Sequence, residues 1–68
     1  MSPNELRVAY PVGTRLVLDA MDDPQAPPVG TVGTVRGVDD AGQILVGWDN
    51  GSGLNLIPGV DFFHRVDM

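Results

Sequence analysis

Apolar residues recur at every second position in several short stretches of the chain, and this spacing is typical of strands that bury one face. Leu16 and Leu18 share a face in the first stretch, and Ile44, Val46 and Trp48 share one in the third. Turn residues separate the stretches. The pattern predicts five short strands, at residues 14–18, 31–38, 43–48, 53–57 and 62–66.

The strongest turn signal is Asn50-Gly51, between two apolar runs. A two-residue loop would place Asn55 on the same face as Trp48. A three-residue loop, with Gly51 in the left-handed region, shifts the register by one residue and brings the apolar positions onto one face. We favour the three-residue loop. It predicts these opposed pairs: Trp48 with Ser52, Val46 with Leu54, Ile44 with Leu56, and an outward-facing Asn55 with Leu45.

The second predicted strand breaks the period of two, because Val35 and Val38 lie three residues apart. Gly37 between them predicts a β-bulge, which bends a strand. We expect Gly37 to face Ile44 and Gly33 to face Trp48, so that small residues lie opposite large ones.

The N-terminal segment, residues 1–9, lacks the alternation of a strand. Ser2 as cap, Pro3 at the first helical position and Glu5 at the third predict a short helix. The alternative is a frayed terminus. Residues 10–68 form the predicted single domain, and residues 67–68 are its tail.

A long loop follows the first strand and has neither a strand period nor a helix period. A loop of this length in so short a domain is either ordered and functional or disordered, and prolines favour the ordered case. We predict a binding surface here, although a loop that only wraps over the domain is the alternative. The cis or trans state of its prolines stays open. The candidate residues are Asp22, Asp23, Pro24, Pro27 and Pro28.

Five short strands with a long loop after the first predict an all-β fold, a small five-stranded SH3-like barrel. Residues 30–35 and 44–51 resemble the second and third strands of many SH3-like barrels, including tudor-like, ubiquitin-ligase-associated and ribosomal ones.

Residues 10–15, 21–28, 37–42, 48–52 and 54–61 resemble an uncharacterised domain family of bacteria, phages and mobile elements. Phe62 departs from this resemblance, which implies a small polar residue there. The resemblance implies the fold and a mobile-element setting, and it implies no catalytic role for any residue.

Charge changes the choice of partner. The chain carries a formal net charge of −5, with nine acidic residues and four basic ones, all Arg. An acidic surface repels phosphate backbones, so a nucleic-acid partner is disfavoured. With 68 residues and no Cys, neither disulfides nor thiolate-metal chemistry is expected. No apolar run is long enough for a membrane span, and we expect a cytoplasmic protein of the bacterial host.

Catalytic and metal-binding groups are sparse. Asp22-Asp23 is more typical of a solvated turn than of a cation site, which needs more convergent oxygens. His64 has no Cys or second His with which to hold a metal. Nothing in the sequence orients a pair of Ser52 or Ser2 with His64. We therefore predict no enzyme, no catalytic residue, no metal and no cofactor.

The remaining binding candidates are Trp48 and three residues of the predicted outer side of the sheet, Arg36, Leu45 and Asn55. Trp48 is either a core residue, which the alternation favours, or an aromatic ligand platform. A polar Asn55 beside an apolar Leu45 suits an interface, and ordinary surface variation is the alternative.

Three functions remain. The first is a binding module for a protein partner, which acts through the outer face and the proline-rich loop. The second is a homo-oligomeric phage counter-defence protein that sequesters a small ligand, such as a signalling nucleotide, with its arginines. The third, disfavoured by charge, is a nucleic-acid-binding barrel.

Overall fold

The computed structural model describes residues 1–66, so the predicted tail at residues 67–68 lies outside the described part of the chain. One short helix precedes four strands: α1 (Pro3–Ala9), β1 (Arg15–Ala20), β2 (Val32–Val38), β3 (Ile44–Trp48) and β4 (Phe62–Arg65). The strands form a single antiparallel sheet in the order β3-β2-β1-β4.

The mostly-β prediction is confirmed, but the prediction of five strands in a closed barrel is wrong: in residues 1–66 the sheet has four strands and does not close. The predicted strand at residues 53–57 makes only one bridge to β3, between Leu56 and Ile44. The predicted pairing fails at Leu54, whose carbonyl accepts a hydrogen bond from Trp48 Nε1 at 2.7 Å. The indole N–H thus binds the carbonyl oxygen that would accept a backbone hydrogen bond in a regular β-ladder.

The register predicted for the three-residue loop is present next to the loop, at Trp48 and Ser52, and at the far pair, Ile44 and Leu56. The Gly51 N–H donates to the Trp48 carbonyl at 2.9 Å, and the Trp48 N–H donates to the Ser52 carbonyl at 3.0 Å. Gly51 has a φ of +91°, as the left-handed position of this loop requires. Ile44 and Leu56 exchange two backbone hydrogen bonds, of 2.8 and 2.9 Å.

The bulge in β2 is confirmed, with Arg36 as the extra residue between Val35 and Gly37. Gly33 pairs with Trp48, as predicted, and Val35 pairs with Val46. The predicted pairing of Gly37 with Ile44 is wrong, because the bulge shifts the register by one residue. Gly37 pairs with Leu45, and Val38 pairs with Ile44.

The core lies on one side of the sheet. Helix α1 contributes Leu6 to it, and a capping box starts this helix as predicted: Ser2 Oγ accepts from the Glu5 N–H, and Glu5 Oε1 accepts from the Ser2 N–H, both at 3.2 Å. No helix within residues 1–66 is long and apolar enough to cross a membrane. The buried apolar residues are Leu6, Leu16, Leu18, Val35, Val38, Ile44, Val46, Trp48 and Leu56.

The loop between β1 and β2 is tied to itself and to the sheet. Asp23 accepts from two backbone N–H groups, its carbonyl from Ala26 at 3.0 Å and its carboxylate from Gln25 at 2.7 Å. The Gly30 N–H donates to the Leu18 carbonyl at 2.8 Å. Pro27 is buried, and the peptide bonds before all three loop prolines are trans.

Candidate functional site

The side of the sheet away from the core carries the polar and charged residues of β1, β2 and β3. We call this side the outer face. The core residues Leu16, Val35 and Val46 alternate with residues that point to the opposite side. The outer face is formed by Arg15, Val17, Thr34, Arg36, Leu45 and Gly47.

One row crosses three strands of the outer face. Arg15 pairs with Thr34, and Thr34 pairs with Gly47. Arg15 Nη1 donates to Thr34 Oγ1 at 2.8 Å, and its guanidinium also binds both carboxylate oxygens of Asp49, at 2.8 and 3.0 Å. This hydrogen-bonded pair lowers the pKa of Asp49 and raises the pKa of Arg15. The charge of Arg15 is therefore neutralised locally.

Arg36 occupies the other end of this row. A Cβ at Gly47 would lie 2.5 Å from Arg36 Nε, 2.6 Å from Nη2 and 2.8 Å from Cζ. The guanidinium therefore lies directly on the β3 backbone, in the space that a side chain at position 47 would fill. Arg36 is exposed, and within residues 1–66 it makes no hydrogen bond or ion pair. Among the residues that the structure describes, this planar cation has no anionic partner and is presented to solvent.

Two further candidates lie beside the bulge. Leu45 is half-buried, and its Cδ1 lies 3.9 Å from where a Cβ on Gly37 would be. The Ile44–Leu56 bridge places Asn55 opposite Leu45, and Asn55 is exposed. The structure thus brings Arg36 and Leu45 together on the outer face, with Asn55 at its border.

The loop candidates lie at a different place. The loop joins β2 near Val32, and Arg36 lies four residues further along, about 13 Å at the rise of a strand. Asp22, Asp23, Pro24 and Pro28 are exposed, whereas Pro27 is buried. The oxygens of Asp23 already accept hydrogen bonds within the loop.

Trp48 is a core residue, the alternative that the alternation favours. It is only 4% exposed, and its indole N–H is bound to the Leu54 carbonyl. It offers no aromatic surface to a ligand.

Sequence reasoning missed two side-chain pairs. The first is the fork of Arg15 on Asp49, which joins β1 to the turn after β3. The second is an exposed pair in which His64 Nδ1 lies 2.8 Å from Asp19 Oδ2, so Asp19 orients the imidazole. One signal for the Arg36 site was present in the sequence: a glycine inside a strand often marks a close approach, and Gly47 lies between Val46 and Trp48.

Metal ligands do not converge in the described part of the chain. No group of three or more His, Cys, Asp or Glu side chains within residues 1–66 is placed to hold a metal ion. What the outer face offers chemically is a guanidinium donor beside an apolar side chain.

Comparison with known proteins identifies a family. The family described as "Domain of unknown function (DUF4314)" matches residues 2–66. No curated protein and no solved structure matches the chain. Because the match covers nearly the whole chain, the chain belongs to this family.

Proposed function

We propose that this member of the DUF4314 family is a non-enzymatic binding module that engages an acidic segment of a protein partner through its outer face. The observation that carries the proposal is the guanidinium of Arg36, which is unpaired within residues 1–66 and lies on the backbone at Gly47. A carboxylate of the partner is the acceptor that this planar donor fits best.

The position of Arg36 favours binding, because the side chain is already partly ordered before a partner binds. A free arginine loses about 2 kcal/mol of rotamer entropy when it is fixed completely. On the outer face the β3 backbone already confines the guanidinium on one side. Leu45, half-buried at the adjacent bulge, supplies apolar contact, and the exposed Asn55 supplies a polar rim. This arrangement of an anchor with a polar border is common at protein interfaces.

Charge supports a short acidic segment over a long polyanion. Arg15 is paired with Asp49, and Arg7 is paired with Asp40 at 3.0 Å. The chain has a net charge of −5, which repels a phosphate backbone at a distance. A short acidic segment brings fewer negative charges close to the protein than a long polyanion does, and one of its carboxylates gains the hydrogen bonds at Arg36.

The rest of the proposal concerns the setting. The exposed loop residues Asp22 and Asp23 form a second contact with the same partner, on the loop that meets β2 at Val32. The strand order and the bridge of Leu56 to β3 support an open form of the SH3-like arrangement. The setting we propose is the cytoplasm of a bacterial host that carries a phage or mobile element.

The test is an amide NMR titration of the full chain with a short peptide of alternating Glu and Leu. A peptide with Lys in place of Glu is the control. We expect the Glu peptide alone to shift the signals of Thr34, Arg36 and Gly47. Arg36→Gln should weaken binding about tenfold or more, the loss of one charge-assisted hydrogen-bond pair. Arg36→Lys should restore less than half of that loss, because Lys lacks the planar fork.

Other results would overturn the proposal. If both peptides shift the same signals equally, the contact is not with carboxylates. If Arg36→Gln binds the Glu peptide as the natural chain does, Arg36 is not the anchor. Asp22→Ala keeps the hydrogen bond of the Asp23 carboxylate inside the loop, so it should leave the fold intact and weaken a partner that reaches the loop. Unchanged binding of such a partner would exclude Asp22 as a contact.

The guanidinium of Arg36 supports a second candidate function, because arginine also binds phosphate through two parallel hydrogen bonds. In this proposal the chain forms a homo-oligomer that sequesters a small nucleotide, as a counter-defence protein would. Its readouts are the solution mass at high protein concentration and thermal shifts with cyclic and linear nucleotides. A strict monomer whose melting temperature no nucleotide changes would rule this candidate out.

A further inference from the structure

A cavity of about 330 Å³ opens between the end of α1 and the bulge of β2. Gly13 donates to the Val35 carbonyl at 2.8 Å, which holds the chain against β2 just before the bulge. Beyond that point Arg36 is the extra residue of the bulge, and Val38 is hydrogen-bonded to Arg7 of α1. The resulting gap is lined by Arg7, Tyr10, Pro11, Val12, Gly37 and Val38.

The walls of this cavity are held in place by hydrogen bonds and by ring packing. The Arg7 guanidinium donates to the Val38 carbonyl at 2.9 and 3.2 Å, to Asn4 at 2.9 Å and to Asp40 at 3.0 Å. The Tyr10 ring packs edge-on against Phe63, with ring centroids 5.5 Å apart. Binding sites for small groups are usually formed in advance in this way, mostly apolar with few polar groups.

The size and chemistry of the cavity indicate its occupant. A volume of about 330 Å³ is at the lower limit for ligand pockets and suits a single side chain or ring. The Arg7 guanidinium is held by Asp40, Asn4 and the Val38 carbonyl, and its planar face is a surface on which an aromatic ring stacks. Tyr10 offers an aromatic ring, and its hydroxyl has no hydrogen-bond partner among the described residues. An aliphatic side chain would use neither feature.

We propose that this cavity receives an aromatic side chain of the same partner whose carboxylate binds Arg36. The inference rests on the proposed function for the identity of the partner, and the continuity of the two sites supports it. Gly37 lines the cavity and directly follows Arg36, so a single extended segment reaches both. The partner motif is an acidic residue close to an aromatic one.

The cavity is tested by itself with N-acetyl-tryptophanamide, an aromatic probe that carries no charge. Titrated into the full chain and followed by amide NMR, it should shift Tyr10, Gly37 and Val38 with a Kd on the order of 0.1–1 mM, that of a ligand of its size. N-acetyl-leucinamide should bind about fivefold more weakly or worse, because it lacks the ring.

Three variants separate binding in the cavity from binding at Arg36. Val12→Glu places a charge at the cavity and should weaken the aromatic probe about tenfold. Val60→Glu is the matched control, since Val60 and Val12 are 63% and 74% exposed and Val60 lies elsewhere, and it should bind normally. Arg36→Gln should also bind the uncharged probe normally while it loses the Glu peptide.

Several results would overturn the inference. They are no shift at Gly37 and Val38, equal binding of the leucine probe, or undiminished binding by Val12→Glu. Because the probe has no carboxylate, each of these leaves the test of Arg36 with the Glu peptide unaffected. Failure of the cavity and failure of the proposed function are thereby distinguished.

Discussion

Two glycines on neighbouring strands, Gly33 and Gly47, should respond in opposite ways to the same added methyl group. Gly33 pairs with Trp48, and a Cβ on it would lie 2.5 Å from Val46 Cγ1 and 2.6 Å from Trp48 Cε3. Both of these side chains are buried. The three atoms nearest to a Cβ on Gly47 all belong to the far end of the exposed Arg36 side chain, at 2.5 to 2.8 Å.

The magnitudes follow from what has to move. Overpacking a core costs about 1–3 kcal/mol, whereas Gly→Ala gains about 0.4–1 kcal/mol where the backbone conformation allows it, because the unfolded chain has fewer states. With a gain of about 0.5 kcal/mol from the unfolded chain, Gly33→Ala should therefore lower the free energy of unfolding by about 0.5–2.5 kcal/mol. Gly47→Ala should leave it unchanged or raise it by up to about 1 kcal/mol, since Arg36 swings into solvent.

Urea denaturation followed by Trp48 emission measures both changes. Trp48 is 4% exposed in the folded chain, so unfolding changes its environment. With an m-value of about 1 kcal/mol/M, the midpoint of Gly33→Ala should fall by about 0.5–2.5 M, and that of Gly47→Ala should stay or rise. Equal midpoints for Gly33→Ala and the natural chain, or a larger loss for Gly47→Ala than for Gly33→Ala, would refute the reasoning.

Three further predictions concern local contacts. Trp48→Phe removes the donor to the Leu54 carbonyl and should cost about 1–3 kcal/mol in the free energy of unfolding, measured in urea by circular dichroism. Ser2→Ala removes the helix cap and should cost about 1 kcal/mol locally, seen as faster amide exchange of Leu6 and Tyr10 with little change in β2. The hydrogen bond from Arg15 lowers the pKa of Asp49. The pair therefore stabilises the fold at pH values above the ordinary carboxyl pKa of 3.8, and this stabilisation is lost as pH falls through the lower pKa of the folded chain. The free energy of unfolding of Asp49→Asn should therefore change less with pH below about pH 4.

Each of these has a contradicting result. Trp48→Phe with unchanged exchange of amides 54–56 would mean that the indole does not hold this segment. Uniform acceleration of exchange across α1 and β2 in Ser2→Ala would mean that the helix unfolds with the whole chain. An Asp49→Asn profile that parallels the natural chain below pH 4 would show that its ion pair contributes nothing in solution.

Local chemistry predicted much of the fold. The capping box at Ser2, the left-handed Gly51 and the bulge beside Gly37 each follow from a few neighbouring residues, and each is present. The fourth strand failed for a reason that lies beyond the backbone pattern. Its alternation holds for the exposed Asn55 and the buried Leu56 but not for Leu54, which lies outside the core. A side chain of the partner strand, Trp48, binds the Leu54 carbonyl.

The candidate site was predicted in part. Alternation identified Arg36 and Leu45 as outward residues. The contact of the Arg36 guanidinium with Gly47 was not predicted. It depends on the position of the bulge, because the bulge changes the direction of the Arg36 side chain relative to β3. The cavity beside Tyr10 also arises from the bulge, and no spacing in the sequence marks it.

The most direct test of the central claim keeps every charge and moves only the guanidinium. Gly47→Ala retains Arg36 and the net charge but fills the space in which the guanidinium lies. Its affinity for the alternating Glu-Leu peptide is compared with that of the natural chain by amide NMR titration. If the contact with β3 positions the Arg36 guanidinium for a carboxylate, the Kd of Gly47→Ala for the peptide should rise about tenfold, equivalent to about 1.4 kcal/mol. An unchanged Kd in a folded Gly47→Ala chain would contradict the claim.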